Sequence, residues 1–314
     1  PSQIAIFSLD PQATKRRGAQ PDVTVQLSYQ DIKVEDILSL QSELNLHSTA
    51  LEAAYLIAAK FHDDWLQALL EQGHDPKEFA QQIGAHPESI AALYRKLKRI
   101  EKFPFFVPKL PKNQSVIDRL MEYIQKDIHV VIEFGNYTST FCYLLLANII
   151  TRRIHHAYVL KTEQYLGSQK AGDEPKQLMI VIEEAHKFLN PIAASQTIFG
   201  TIAREMRKYY VTLFVIDQRP SGIDTEVLSQ IGTKIVAQLS DEKDLQAVLM
   251  GTPNANTLRA VLGSLDTKKQ ALLLGHAITM PMVVETRTYD ETFYTDMQSE
   301  LSMRPVEQVI QELF

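Results

Sequence analysis

The feature that most constrains the fold is a series of short apolar segments separated by stretches with helical periodicity. Residues 129–135, 177–186 and 211–220 are each rich in Val, Ile and other apolar residues and end in polar or turn residues. Such segments are typical of buried strands, and strands that alternate with helices indicate a parallel sheet covered on both faces. The sequence therefore predicts an α/β fold. Further strands are predicted at residues 233–239, 270–275 and 282–289.

The N-terminal third of the chain has a different character. Residues 3–10 are an apolar run that ends in Asp10-Pro11, which predicts a buried strand followed by a loop. Residues 29–103 are almost continuously helical in pattern, and three prolines then interrupt that pattern. We therefore expect three regions along the chain. They are the start of a core (1–28), a helical insertion subdomain (29–110) and the main α/β core (111–314).

Composition and charge exclude several classes of protein. No apolar run of the 314-residue sequence is long enough for a transmembrane helix, and its start lacks a signal-peptide pattern. The single cysteine, Cys142, fits a reducing cytoplasm and lies in an apolar stretch typical of a buried thiol rather than a nucleophile. The net charge of −6 argues against a simple basic DNA-binding module. The net charge does not exclude a ring-shaped assembly in which basic side chains line a central channel.

Two adjacent carboxylates, Glu183 and Glu184, end the apolar segment that starts at Leu178. Open α/β sheets bind ligands at the carboxyl ends of their strands. There, one carboxylate can hold Mg²⁺ through its hydration shell, and the next can polarise an attacking water. This is a Walker B pattern, although strands that end in two solvated glutamates are common. The next strand ends in Asp217-Gln218-Arg219-Pro220, and many P-loop ATPases place a γ-phosphate sensor where Gln218 stands.

A basic face lies between these two strands. Arg204, Arg207 and Lys208 are spaced so that they share one side of a predicted helix over residues 193–209. One interpretation is a solvated helix end whose positive charge complements the helix dipole. The other is an arginine finger offered to the nucleotide of a neighbouring subunit.

Two further patterns favour structural explanations. Residues 79–84 followed by 88–99 have the spacing of a helix-turn-helix with a basic second helix, which we interpret as a helical hairpin. A metal site made of Glu183, Glu184 and His186 has little support, because no other histidine completes a recognisable ligand spacing.

Taken together, these segments resemble the HerA/FtsK superfamily, and its HerA-like branch most closely. The helical block is similar to the helical insertion of HerA proteins, and residues 7–11 are similar to the family's strand that ends in Asp-Pro. The likeness extends over essentially the whole chain. It is carried by Glu183-Glu184-Ala185-His186, Gln218-Arg219-Pro220, Val227-Leu228-Ser229-Gln230 with Thr233, and in part by Leu274-Gly275-His276-Ala277 with Pro281.

This resemblance implies a RecA-like P-loop NTPase core with a mainly parallel sheet, and ATP and Mg²⁺ as its ligands. It further implies a cytoplasmic DNA translocase or helicase that acts in DNA repair. The family forms homo-oligomeric rings, typically hexamers, which act on double-stranded DNA with a nuclease or other effector. The roles that it implies are Glu183 near Mg²⁺, Glu184 as catalytic base, Gln218 as sensor, Arg207 or Arg204 as a finger acting in trans, Arg219 at the subunit interface and Asp10 near the nucleotide. The chain departs from the pattern at Met206, where the family usually has glycine, and at Gln12-Ala13, where it often has His-Gly.

The sequence contains no GxxxxGK[ST] motif and no Gly-Lys dipeptide. Without that loop, nothing supplies the backbone cradle and the lysine for the β- and γ-phosphates. We expect the P-loop to lie upstream of Pro1, and we expect this chain alone to bind nucleotide weakly or not at all and to be inactive. The alternative is an assembly or regulatory protein that keeps the fold as a scaffold, binds DNA through the helical block and does not hydrolyse ATP.

Overall fold

The computed structural model describes residues 3–111, 115–196 and 198–303, with the backbone alone for 195, 196, 198, 199, 204–207 and 298–303. The chain divides into two compact units. The first unit is Pro1–Gln218 with Gly222–Val227, and the second unit is Arg219–Ser221 with Leu228–Phe314. Among the described helices, none has the length and apolarity needed to cross a lipid bilayer.

The first unit contains short parallel sheets and most of the helices. Its strands are β1 (Ile4–Ser8), β2 (Val23–Thr24), β3 (Leu27–Ser28), β4 (Phe106–Val107), β5 (His129–Glu133), β6 (Leu178–Glu183) and β7 (Val211–Ile216). Its helices are α1 (Pro11–Arg16), α2 (Val34–Leu38), α3 (Gln41–Leu44), α4 (Ser48–Phe61), α5 (Trp65–Gln72), α6 (Pro76–Ile83), α7 (Pro87–Leu97), α8 (Val116–Gln125), α9 (Thr140–Ser168), α10 (His186–Leu189), α11 (Pro191–Gln196) and α12 (Ile198–Glu205). Helix α13 (Thr225–Gln230) contains residues of both units.

Strand pairing in the first unit is parallel throughout the described residues. The order is β2–β1–β5 in one sheet, with Ser8 opposite Glu133, while β6 pairs with β7. Strands β3 and β4 also pair, which brings the two ends of the helical block together. The α/β fold class with a mainly parallel sheet is therefore confirmed.

The helical block, predicted as nearly continuous helix, is divided into α2–α7 by tight turns. Asn45 (φ 47°) and Gly84 (φ 72°) adopt the left-handed conformation that ends α3 and α6. The N-cap of α4 is His47, whose ring accepts a hydrogen bond from the backbone N–H of Thr49. The block belongs to the first unit together with the sheets. The proposed boundaries at 28/29 and 110/111 stay predictions.

A buried carboxylate joins the helical block to the long helix α9. Asp36 on α2 is fully buried, and Arg152 on α9 donates to both of its oxygens, at 2.9 and 2.7 Å. The side chain of Asn148 and the backbone N–H of Lys33 also donate to this carboxylate, at 2.9 and 2.8 Å. Because these four donors replace the lost water, the charge can be accommodated inside the fold.

The second unit has a different topology. It contains β8 (Thr233–Val236), β9 (Gln270–Gly275), β10 (Met282–Glu285), α14 (Glu242–Leu249), α15 (Ala255–Ser264) and α16 (Glu291–Met303). The strand order is β10–β9–β8, and both pairings are antiparallel. The predicted strands are thus present, and their antiparallel pairing differs from the parallel pairing that the α/β pattern indicates. Only a short connection separates β9 from β10, and a parallel pair needs a crossover of a dozen residues or more.

The strands of the first unit have one buried face and one exposed apolar face. Alternate residues on one side are buried, among them Ile182, and Phe7 and Val211 on that side belong to the main hydrophobic core. On the other side, several residues that are equally apolar are 42–58% exposed. We call this side of the strands the open face; its exposed apolar residues are Ile4 and Val131 in the β2–β1–β5 sheet and Met179, Val181, Phe214 and Ile216 in the β6–β7 pair. The sequence pattern predicted that both faces of the sheet are covered. The exposed apolar face differs from that prediction, as does the antiparallel pairing of the second unit.

Candidate functional site

The carboxyl edge of β6 and β7 carries three of the residues that the sequence singled out, Glu183, Glu184 and Gln218. In the parallel register Glu183 lies opposite Ile216, and the backbone N–H of Ala185 donates to the carbonyl oxygen of Ile216 at 3.3 Å. Asp217 and Gln218 therefore follow β7 at the edge where Glu184 follows β6. Gln218 is exposed there.

Glu183 and Glu184 leave the strand in different ways. Glu183 is the last residue of β6 and is exposed, and nothing in the described ranges hydrogen-bonds or ion-pairs with its carboxylate. Glu184 would continue the strand onto the buried side of Ile182, since side chains alternate. Instead, its backbone turns into the left-handed region (φ 52°), and its side chain is 44% exposed. This conformation is uncommon for a residue with a side chain and is found at functional turns.

A chain of polar contacts connects Glu184 to Asp217. One carboxylate oxygen of Asp217, Oδ2, accepts the backbone N–H of His186 at 2.7 Å and lies 2.8 Å from Nδ1 of the same residue. The other ring nitrogen, Nε2, lies 3.8 Å from Oε2 of Glu184. The Asp217 side chain is 4% exposed, so this carboxylate is held inside the fold. It also satisfies a backbone donor at the start of α10.

Sequence reasoning did not assign a role to Asp217, and it considered His186 only as a metal ligand. A signal was present, because Asp217 directly precedes the predicted sensor Gln218 at the end of a strand. What the pattern could not show is the pairing of two residues thirty-one positions apart. Within the described residues, no group of three or more His, Cys, Asp or Glu side chains could hold a metal ion.

The predicted arginine fingers lie on two different elements. The backbone of Arg204 is in α12, and that of Arg207 is in the 3₁₀ turn Met206–Tyr209. The predicted helix over 193–209 is thus α11, α12 and this turn. The side chains of Arg204 and Arg207 lie outside the described residues. Arg219 is exposed and belongs to the second unit.

Asp10 has a structural role at the end of β1. Its carboxylate caps α1 by accepting the backbone N–H of Ala13 at 3.0 Å, and Pro11 occupies the first helical position. That bond is the main cause that lowers the pKa of Asp10 below its ordinary value. The Asn136 side chain donates to the other oxygen at 3.0 Å. Gly135 (φ 65°) passes so close that a Cβ there would lie 2.3 Å from the Cβ of Asp10. The predicted position of Asp10 near the nucleotide stays a prediction.

Comparison with known proteins gives partial sequence similarity. No protein-family model matches the chain. It is 35% identical over 116 residues to the DNA double-strand break repair helicase HerA of Sulfurisphaera tokodaii, which is 36% of this chain and 23% of that protein. It is 29% identical over 164 residues to the protein of that name from Pyrococcus furiosus, 46% of this chain and 30% of that protein. The matched segments span less than a third of either relative.

The fold extends the similarity further along the chain. The structure of VirB4 of Thermoanaerobacter pseudethanolicus matches with a TM-score of 0.54 and 13% identity, over 92% of this chain and 82% of that one. At that identity the match concerns the fold alone. The partial sequence similarity to HerA proteins and the fold match to VirB4 together support a P-loop ATPase of the HerA/FtsK type.

Proposed function

We propose that the chain forms the water-activating part of an ATP-driven motor of HerA type that acts on double-stranded DNA as a translocase or helicase. The observation that carries the proposal is the convergence of Glu183, Glu184 and Gln218 at the carboxyl edge of β6 and β7. Such edges bind ligands in α/β sheets. The helicase function and a role in DNA repair rest on the names of the HerA relatives.

Glu184 is the proposed catalytic base. Its carboxylate is partly exposed, and within the part of the chain that the structure describes its only ion-pair partner is His186, at 3.8 Å. The carboxylate oxygens can therefore accept a proton from water. The proton moves to Glu184, the water oxygen bonds to the γ-phosphorus, and the bond from that phosphorus to the bridging oxygen breaks to leave ADP and phosphate. General-base catalysis of this kind contributes about 10²- to 10⁴-fold to the rate.

Glu183 is the proposed ligand of Mg²⁺, directly or through water. In such sites Mg²⁺ keeps several waters and binds one or two carboxylates and the phosphates, rather than an all-protein cage. An exposed carboxylate that receives no hydrogen bond or ion pair from the described residues fits that coordination. When bound with ATP, the ion would neutralise phosphate charge. Gln218 would orient the water and sense the γ-phosphate.

The open face supports a further part of the proposal. Parallel sheets are normally covered on both faces, and six apolar side chains that are 42–58% exposed suit a helix packed against them. In addition, the described part of the chain pairs β7 with β6 alone. We propose that a segment of the intact protein carrying the P-loop packs on the open face and beside β7. The chain alone then lacks the phosphate cradle and does not hydrolyse ATP.

The oligomeric part of the proposal rests on the resemblance alone. It comprises a homohexameric ring in which Arg207 or Arg204 enters the nucleotide site of a neighbouring subunit, with Arg219 at the interface. Such a finger stabilises the charge that develops on the transferred phosphoryl group. A nuclease or another effector would use the motor.

The test is the ATPase activity of the intact protein with and without double-stranded DNA. We expect DNA-stimulated, Mg²⁺-dependent hydrolysis, and we expect Glu184→Gln to lower kcat by about 10²- to 10³-fold because amide oxygens are poor bases. Glu163→Gln is the matched control, since Glu163 is an exposed carboxylate on α9. It should leave kcat unchanged.

Two results would contradict the proposal in different ways. Full hydrolysis in Glu184→Gln would remove Glu184 from the role of base. An intact wild-type protein that binds DNA without hydrolysing ATP would instead favour the scaffold alternative.

A further inference from the structure

His186 is held by two neighbours, Asp217 and Gly222. Its backbone N–H and its Nδ1 atom both meet the same buried oxygen of Asp217, at 2.7 and 2.8 Å. On another side, Gly222 is so close that a Cβ there would lie 3.1 Å from the Cβ of His186. The ring is only partly exposed, with 25% of the side chain accessible. Its orientation is therefore set by the fold.

The contact with Asp217 also determines which ring nitrogen carries the hydrogen. An ionised carboxylate has no proton to donate, so Nδ1 must donate in this contact. In a neutral imidazole the other nitrogen, Nε2, then bears a lone pair and is an acceptor. That nitrogen faces Glu184, whose carboxylate also accepts.

Two acceptors that face each other leave a place for a donor. A water with each O–H hydrogen bond about 2.8 Å long can donate to two acceptors roughly 4 to 4.5 Å apart. The distance from Nε2 of His186 to Oε2 of Glu184 is 3.8 Å, and a small rotation of the partly exposed Glu184 side chain reaches that span. The two atoms are therefore spaced to hold one water molecule between them.

We propose that His186, oriented by Asp217, is the second acceptor that holds the attacking water beside Glu184. The inference rests on the proposed function, and it adds a residue to it. One hydrogen of the water points to Glu184 and is transferred as the oxygen attacks the γ-phosphorus. The other hydrogen points to Nε2 of His186 and stays on the oxygen. His186 thereby turns the oxygen lone pair towards the phosphorus, and orientation of this kind lowers the barrier without a further proton transfer.

The tautomer can be tested without ATP. Nitrogen NMR of the full chain with labelled histidine distinguishes a ring protonated at Nδ1 from one protonated at Nε2, and His186→Asn identifies the signal. We expect neutral His186 to carry its hydrogen on Nδ1, and Asp217→Asn to remove that preference. A neutral ring protonated at Nε2 in the wild-type chain would overturn the proposal, whatever the kinetics show.

The kinetic test uses His186→Asn in the intact protein. Asparagine keeps a side-chain donor for Asp217 and the backbone N–H, but it has no acceptor at the position of Nε2. We expect kcat to fall about 10- to 100-fold, with KM for ATP within about threefold and an unchanged melting temperature. The matched control is His156→Asn, since His156 is an exposed histidine on α9. It should behave like the wild type.

The outcomes separate this inference from the proposed function. If Glu184→Gln abolishes hydrolysis while His186→Asn keeps kcat within about twofold, the water-binding role is wrong and the motor function stands. A raised KM with unchanged kcat would also overturn the role, because it would place His186 in nucleotide binding. Absence of hydrolysis in the wild-type protein would contradict the proposed function itself, whereas the tautomer measurement would still test the geometry.

Discussion

The two faces of the parallel strands in the first unit differ although their residues are similar. On the buried face, Ile182 is 8% exposed, and Val211, at 1%, belongs to the main core. On the open face of the same two strands, Val181 and Phe214 are 54% and 42% exposed. Along β6, the residues that point to either face are apolar, so both faces have the composition of a protein interior. The described residues therefore cover these strands on one face only.

The carboxylates repeat this contrast. In the interior, Asp36 on α2 is fully buried and receives four hydrogen bonds, from Arg152, Asn148 and Lys33. At the edge, the one ion-pair contact that the described residues give the Glu184 carboxylate is with His186, at 3.8 Å. A buried charge needs a full set of donors, and once it has them it has no capacity left for a ligand. An exposed carboxylate can remain without protein partners because water solvates it, and it is then able to bind an ion or activate a water.

The largest expected effect on stability is at the buried pair of Asp36 and Arg152. Arg152→Ala leaves the buried Asp36 carboxylate without its charged partner, and breaking such a pair costs about 3 to 5 kcal/mol. Urea unfolding followed by the fluorescence of Trp65, the single tryptophan, measures this loss in the helical block. The matched control is Arg153→Ala, because Arg153 lies 3.7 Å from Asp31 in a more exposed pair. That substitution should cost about 1 kcal/mol or less. Equal losses in the two variants would contradict the distinction between the pairs.

A smaller effect should separate the two faces of β6. In the chain alone, Ile182→Ala should cost about 2 to 4 kcal/mol because Ile182 is 8% exposed. Its neighbour Val181 points to the open face, and Val181→Ala should cost less than about 1 kcal/mol. In the intact protein the cost of Val181→Ala should rise to about 1 to 2 kcal/mol, because the P-loop segment would then cover that side chain. An unchanged cost in the intact protein would argue against cover on the open face.

The smallest expected effect is the reactivity of the Cys142 thiol in the folded chain, because this thiol is buried in the core. This residue is fully buried in α9, and burial raises the pKa of its thiol to about 12. Near pH 8 only about one thiol in 10⁴ would then be the reactive thiolate. We expect no measurable reaction with Ellman's reagent in the folded chain and rapid reaction in urea. Complete labelling of the folded chain within minutes would show that α9 is not covered as described.

Much of the site could be predicted because it depends on local patterns. An apolar run that ends in Glu183-Glu184, and a second that ends in Asp217-Gln218, fix two strands and their polar ends. Parallel strands place those ends at one edge, so the convergence of Glu184 and Gln218 followed from the fold class. Strands β8–β10 were predicted, but their antiparallel pairing was not, because apolar periodicity indicates a strand without giving its direction or partner.

The sequence by itself determined which segments become strands and helices, where the carboxylates lie relative to them, and the lack of a P-loop motif in this chain. Local side-chain alternation and residue chemistry are sufficient for these conclusions. Only the tertiary structure decided that one sheet face is open, that Asp36 pairs with Arg152, and that Asp217 orients His186 towards Glu184. Each of these depends on packing between residues far apart in the chain, and neither spacing nor composition specifies such contacts.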